Sequence, residues 1–101
     1  LLVQQAPELP GVWIHRSFAL HELKRTEEAF DHLNPARGVF TDQWGIPYNL
    51  ACYLTQLGRI KEAGRELHAA LKIDPNAVKH AAVNDPDLEP LCKHIDELRT
   101  E

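Results

Sequence analysis

Zinc ligation is the first chemistry that the residue types of this chain suggest, because it contains six histidines and two cysteines. His21-Glu22 begins like the HExxH motif of zinc enzymes, but Arg25 occupies the position of the second histidine. His15 and His21 are six residues apart, which puts them on different faces of one helix. We therefore predict no metal site and no cofactor, and expect neutral histidines that are exposed or partly buried.

Cys52 is the candidate for a catalytic nucleophile. It falls mid-helix in the predicted structure, where no helix N-terminus or neighbouring cation would lower the pKa of its thiol. We expect Cys52 and Cys92 to be free thiols of a reducing compartment, with a disulfide between them as the alternative. No Gly-rich phosphate loop, GxSxG motif or paired-carboxylate motif is present, so we predict that the chain is not an enzyme.

Net charge and hydropathy limit the classes of partner. The 101 residues include 15 acidic and 11 scattered basic side chains, a net charge of −4, which disfavours nucleic acid. No apolar run approaches the roughly 20 residues that span a bilayer, so we predict no membrane partner. We expect a cytoplasmic protein, although a chain that begins at Leu1 and contains no methionine leaves room for an upstream signal.

An internal repeat organises the chain. The identical residues that a shift of 34 aligns include seven pairs between Leu20 and Ala70: Leu20 with Leu54, Leu23 with Leu57, Arg25 with Arg59, Glu28 with Glu62, Ala29 with Ala63, Leu33 with Leu67, and Ala36 with Ala70. Chance leucine matches are common in helical sequences, but matched alanines require two helices to approach closely at the same point of each unit. The register therefore predicts two copies of one helical hairpin.

Each unit is predicted to contain two helices. In unit one, the first helix runs from about Pro10 to Leu23, and Thr26 is expected to cap a second helix that runs toward Phe40. The Asn34-Pro35 pair falls inside this second helix, where a proline removes a hydrogen bond and kinks or breaks the helix.

Unit two repeats this pattern. Pro47 suits the first turn of its first helix, and Gly58 can take the left-handed conformation that ends that helix. Ile60 to Ile73 forms the partner helix, which Asp74-Pro75 stops.

A third unit begins after Pro75 and stops early. Ala77 to Val83 can form about two helical turns. Asp87 is then expected to cap a final amphipathic helix that has Pro90 in its first turn. We expect this helix to cover the apolar end of the repeats, with docking of a partner as the alternative.

The spacing of these residues resembles the tetratricopeptide repeat. Unit two carries the family's packing residues at Leu50, Ala51, Leu54, Gly58, Ala63, Leu67, Ala70 and Pro75, and unit one carries them at Trp13, Leu20, Ala29, Leu33 and Ala36. The stretch from Trp44 to Gly58 resembles a mostly uncharacterised bacterial subgroup. The resemblance implies an all-α, helical-hairpin solenoid in a single domain over residues 1–101. Residues 1–9 would be the tail of a preceding repeat, 10–43 repeat one, 44–77 repeat two, and 78–101 a truncated third unit with a capping helix.

In tetratricopeptide proteins the first helix of each unit lines a concave groove, and ligands usually lie there. The resemblance places nine residues of this chain in that groove: Ile14, Phe18, His21, Glu22, Tyr48, Asn49, Cys52, Thr55 and Gln56, with Lys79 and Ala82 following from the third unit. Asn49 matches one position of the family's carboxylate clamp, but Ile14 and Phe18 replace its lysine and first asparagine, so we expect no clamp. The groove suits an apolar anchor flanked by amide hydrogen bonds, unless Phe18 and Tyr48 pack against neighbouring helices.

The resemblance implies a binding function, because the motif residues are packing residues and carry no catalytic group. We predict an adaptor or scaffold that holds a protein or peptide in the groove. The alternative is a structural fragment of a longer array, or a homo-oligomer that stacks through Leu1, Leu2 and Val3. An enzyme is the least favoured of the three classes.

Overall fold

The computed structural model describes residues 9–92, and this part of the chain consists of helices joined by short loops, with no strand. Five α-helices, α1 to α5, cover Pro10–Glu22, Thr26–Leu33, Gly45–Gln56, Ile60–Ile73 and Pro75–Ala82. Two 3-10 helices cover Asn34–Gly38 and Pro86–Leu88, and residues 89–92 are again α-helical. The all-α prediction is confirmed.

The helix boundaries of unit one agree with those predicted, but the predicted cap of α2 does not. α2 ends at Leu33 and the chain continues as a 3-10 helix through Pro35, as expected of a residue that has no amide hydrogen to donate. Thr26 was predicted to cap α2, and this prediction is wrong. Arg25 occupies the N-cap position without a side-chain cap, while the Thr26 hydroxyl lies 2.9 Å from Nδ1 of His21.

Unit two matches its predicted boundaries closely. Gly58 has a φ of +80°, and the partner helix α4 spans Ile60–Ile73 as predicted. Asp74 ends α4 and also caps α5, because its Oδ1 accepts a hydrogen bond of 3.1 Å from the amide of Ala77.

The end of the described chain departs from its prediction. Asp85, not Asp87, serves as the cap here, since Oδ1 of Asp85 accepts a hydrogen bond of 3.0 Å from the Asp87 amide. The helix at 89–92 therefore follows a 3-10 turn over Pro86–Leu88. Residues 1–8 of the predicted preceding tail and 93–101 of the predicted capping helix lie outside the described residues.

The core lies around α3. This helix packs against α4, α2 and α1, and against the 3-10 helix Pro86–Leu88. The matched alanines are fully buried, as expected of residues at close helix approaches: Ala29, Ala36, Ala63 and Ala70 are each 0% exposed. Between residues 9 and 92 no helix is both long enough and apolar enough to cross a membrane.

Candidate functional site

Residues 85–88, which we call the acidic segment, lie across α1 and α3. The carboxylate of Asp85 faces α3, where its Oδ2 accepts a hydrogen bond of 2.5 Å from the Tyr48 hydroxyl. The same oxygen lies 3.8 Å from Sγ of Cys52, one turn further along the helix. One carboxylate oxygen thus meets two donors from a single helix face.

Asp87 makes the corresponding contacts at the other end of the acidic segment. Its Oδ2 lies 3.1 Å from Nε2 of His21 on α1, and its backbone oxygen accepts a hydrogen bond of 3.0 Å from Nε2 of Gln56 on α3. The acidic segment therefore joins the first helices of both units. We call the side chains that hold it (His21, Tyr48, Cys52 and Gln56), together with the neighbouring Phe18, the α1–α3 face.

Each ring nitrogen of His21 has its own polar contact. Nδ1 lies 2.9 Å from the Thr26 hydroxyl, and in the tautomer with its hydrogen on Nε2 the hydroxyl donates to Nδ1 while Nε2 donates to Asp87. The ring also packs against Tyr53, with the two ring centroids 5.2 Å apart.

Burial keeps Tyr48 and Cys52 in their protonated, hydrogen-bond-donating forms. Burial is the largest cause that raises the pKa of Tyr48, and the hydrogen bond to Asp85 raises it further. Burial also raises the pKa of the Cys52 thiol, and the negative charges of Asp85 and Asp87 add to this effect. A thiol with a raised pKa is a poor nucleophile, so the arrangement suits binding by donation and not covalent chemistry.

Two leucines fix the acidic segment to the core. Leu88 is 0% exposed and Leu91, in the helical residues that follow, is 1% exposed. The polar contacts of Asp85 and Asp87 thus lie beside an apolar anchor, so the acidic segment is held by both types of interaction.

The remaining predicted groove residues divide into two groups. On α1, Phe18 is 44% exposed with its ring 6.1 Å from that of His21, and Glu22 is also exposed. Ile14 is partly buried and packs closely on Gly45, where a Cβ would lie 3.0 Å from the Ile14 Cδ1.

On α3, two predicted residues bond within their own helix. Nδ2 of Asn49 donates to the Gly45 carbonyl at 2.7 Å, and the Thr55 hydroxyl donates to the Ala51 carbonyl at 2.7 Å. Of the nine predicted residues, the structure brings His21, Tyr48, Cys52 and Gln56 together around the acidic segment, with Phe18 beside them. Lys79, predicted to follow from the third unit, is exposed, and Ala82 is partly buried.

Asp85 and Asp87 are the site residues that sequence reasoning missed. Asp87 was predicted only to cap a helix, which is the common role of aspartate before a helix, and no role was predicted for Asp85. Their alternation around Pro86, directly before an apolar Leu88, was the available signal that their side chains could project toward a neighbouring surface.

Two further observations concern possible metal ligands and the two cysteines. Within residues 9–92, no three side chains of the types His, Cys, Asp or Glu are grouped so that they could hold a metal ion. Cys52 and Cys92 are not joined by a disulfide.

Comparison of the chain with known protein families, with characterised proteins and with solved structures finds no match.

Proposed function

We propose that this chain is a tetratricopeptide-type repeat protein that binds a peptide or a segment of another protein on the α1–α3 face. The observation that carries the proposal is the acidic segment itself, a short stretch of chain held by side chains from α1 and α3. A surface whose polar side chains are arranged around one peptide segment has the chemistry to hold another.

The repetition of backbone detail supports a tetratricopeptide-type hairpin. Lys24 and Gly58, 34 residues apart, both have a positive φ, of 66° and 80°. Each is followed by an arginine at the N-cap position that pairs with a glutamate three residues on, Arg25 with Glu28 and Arg59 with Glu62. Two units with the same turn and the same cap agree with the repeat that the sequence resembles.

Phe18 is the apolar part of the proposed site. The residue is 44% exposed, and its ring lies beside His21 on the helix that contributes one of the polar contacts. A large aromatic side chain next to hydrogen-bonding groups is typical of residues that dominate binding energy at protein interfaces. The side-chain amide that donates to the acidic segment is that of Gln56. The amide of Asn49 donates to the Gly45 carbonyl within α3 instead.

The experiment compares Phe18→Ala with Val39→Ala in affinity capture from the native host. Val39 is an exposed apolar side chain that belongs to neither α1 nor α3. We expect Phe18→Ala to lose partners that Val39→Ala retains, while both variants keep the thermal unfolding midpoint of the parent chain. If both variants capture the same partners as the parent chain, the proposed use of this face is wrong.

Self-association is a second candidate, favoured by an apolar surface where α1 begins. Leu9 is 75% exposed there, and a shallow depression is lined by residues that include Pro10 and Val12. In this case light scattering would show the mass rising with concentration, and Leu9→Gln would suppress the rise. A constant monomer mass would count against this candidate.

A further inference from the structure

In the side-chain hydrogen bonds between the α1–α3 face and the acidic segment, the face donates and the segment accepts. The hydroxyl of Tyr48, the thiol of Cys52 and the amide of Gln56 act as donors, and so does Nε2 of His21 once Thr26 donates to Nδ1. The acceptors are the two aspartate carboxylates and one carbonyl of the acidic segment. A surface that presents donors and no acceptors to its occupant discriminates in favour of acceptor-rich, negatively charged groups.

We propose that the α1–α3 face selects acidic peptides, and that residues 85–88 are its internal competitor. This inference rests on the proposed peptide-binding function and specifies the chemistry of the partner. The partner would carry two carboxylates separated by one residue and then an apolar side chain, the pattern Asp-x-Asp-Leu that the chain itself presents over residues 85–88.

The environment of Asp85 explains why a carboxylate is required. Its Oδ2 faces the donors of Tyr48 and Cys52, while its Oδ1 accepts from the amide of Asp87. A carboxylate satisfies all three because both of its oxygens accept. An amide has one oxygen, so its NH₂ group would face a donor at one of these positions and leave that donor without an acceptor.

The apolar position follows from the burial of Leu88. A peptide that displaces the acidic segment exposes this side chain to water, so it must bring an apolar side chain of its own to refill the space. It must also compete with an occupant on the same chain, whose effective concentration is on the order of millimolar for such short tethers. We therefore expect the unaltered chain to bind acidic peptides weakly, and release of the acidic segment to strengthen binding.

The test uses the full chain and a variant, Asp85→Asn with Asp87→Asn, which keeps every donor of the α1–α3 face. The probe is an acetylated and amidated peptide with the sequence of residues 83–90, labelled for fluorescence anisotropy. Its matched control has asparagine in place of both aspartates. We expect the variant to bind the acidic peptide at least about tenfold more tightly than the parent chain does, and at least about tenfold more tightly than it binds the control peptide.

Binding of both peptides with equal affinity, or of neither by a variant with the helical circular dichroism of the parent chain, would overturn the inference. If the parent chain instead forms dimers by exchanging residues 85–88 between copies, the occupant is a second copy and the inference is overturned.

If the variant does not fold, the test is made on the parent chain by NMR. At millimolar concentration the acidic peptide should shift the NMR signals of the Gln56 side-chain amide, and the control peptide should not. An unmoved Gln56 signal would contradict the inference. This failure is distinguishable from failure of the proposed function: captured partners that still depend on Phe18 would preserve a binding role for the face while excluding acidic peptides.

Discussion

The two helical hairpins share a register but differ in how their first helices are buried. α3 contains nine buried residues between Ile46 and Thr55, whereas Ser17 is the one buried residue of α1. Among the described elements, α3 has neighbours on several sides (α1, α2, α4 and the acidic segment), while α1 packs mainly on α2. A repeated sequence thus determines a repeated backbone, and the number of neighbours decides how much of each side chain is removed from water.

This difference predicts the largest effect at a matched pair of leucines, Leu54 in α3 and Leu20 in α1. Leu54 is 1% exposed, and Leu20 is partly buried at the edge of the same core. We expect Leu54→Ala to lower the free energy of unfolding by about 2–5 kcal/mol, since truncation leaves a cavity among well-packed neighbours. Leu20→Ala should cost only about 1–2 kcal/mol, because its site is already open to water. Urea denaturation measures both, and equal losses would contradict the comparison.

A buried hydrogen bond that links the two first helices gives the next effect. The Tyr53 hydroxyl donates to Oγ of Ser17 at 2.9 Å, and Ser17 in turn donates to the Ile14 carbonyl at 2.9 Å. Ser17→Ala leaves the Tyr53 hydroxyl buried without an acceptor, so we expect a loss of about 1–3 kcal/mol.

The double variant Ser17→Ala with Tyr53→Phe tests the cause of that loss. Removing both polar groups should recover part of the stability, because no donor then lacks a partner. A double variant whose loss equals the sum of the two single losses would show that Ser17 and Tyr53 do not interact. Burial also raises the pKa of Tyr53 to about 12, so the expected loss should be the same from pH 6 to pH 8.

The turns of the two units predict opposite signs for two substitutions. Gly58 at φ +80° and Lys24 at φ +66° occupy matched positions, and a Cβ built on Gly58 meets nothing within 4 Å. Gly58→Ala should therefore cost about 1–2 kcal/mol through backbone conformation alone. Lys24→Gly should raise the free energy of unfolding, because glycine adopts a positive φ without strain. Glycine also loses more entropy on folding, which limits the gain to about 1 kcal/mol. Thermal unfolding of both variants checks the signs, and two losses would contradict the shared turn.

Much of the backbone could be predicted because its signals are local. The end of α3 at Gly58 and the break of α2 before Pro35 follow from the conformations that these residue types allow. The bounds of α4 follow from a periodic apolar stripe that ends at Asp74-Pro75. The matched alanines predicted close helix contacts, and all four are fully buried.

The site could be predicted only in part, because its other half comes from a distant segment. His21 and Asp87 are 66 residues apart, and no periodicity relates the acidic segment to α1. Thr26 and Asp87 were both predicted to cap helices, but both contact His21 instead. Thr26 does so across the turn between α1 and α2, and Asp87 does so from 66 residues away in the sequence. Local patterns therefore identified the helix faces without showing what covers them.

A buried carboxyl in unit two predicts a pH dependence. Burial raises the pKa of Glu66 above its ordinary value of 4.5, and the ion pair with Arg37, at 2.8 Å, only partly offsets this. The folded chain then binds this proton more tightly than the unfolded chain, so ionisation of Glu66 reduces stability as the pH rises above 4.5.

Glu66→Gln removes this titration. We expect the stability of Glu66→Gln relative to the parent chain to increase between pH 4 and pH 7, whatever constant offset follows from the lost ion pair with Arg37. Urea denaturation at several pH values measures the difference. A relative stability that falls over this range would contradict the raised pKa of Glu66.

The smallest effects are expected at the surface arginines that begin the second helix of each unit. Arg25 pairs with Glu28 at 2.6 Å and Arg59 with Glu62 at 2.8 Å, and all four side chains are open to solvent. Such exposed pairs contribute little and are screened by salt. Arg59 differs because its guanidinium also lies 5.3 Å from the ring centre of Phe30, which belongs to the preceding unit.

Arg59→Ala should therefore lower the thermal unfolding midpoint more than Arg25→Ala does, and the difference should survive high salt. Added salt screens both ion pairs, so it should reduce the part of each loss that the two variants share. It leaves the packing of the arginine stem and guanidinium on Phe30 largely in place, because that contact does not depend on a distant charge. Equal losses in high salt would mean that Arg59 contributes no contact between the units, and that the two turns are equivalent in energy as well as in backbone.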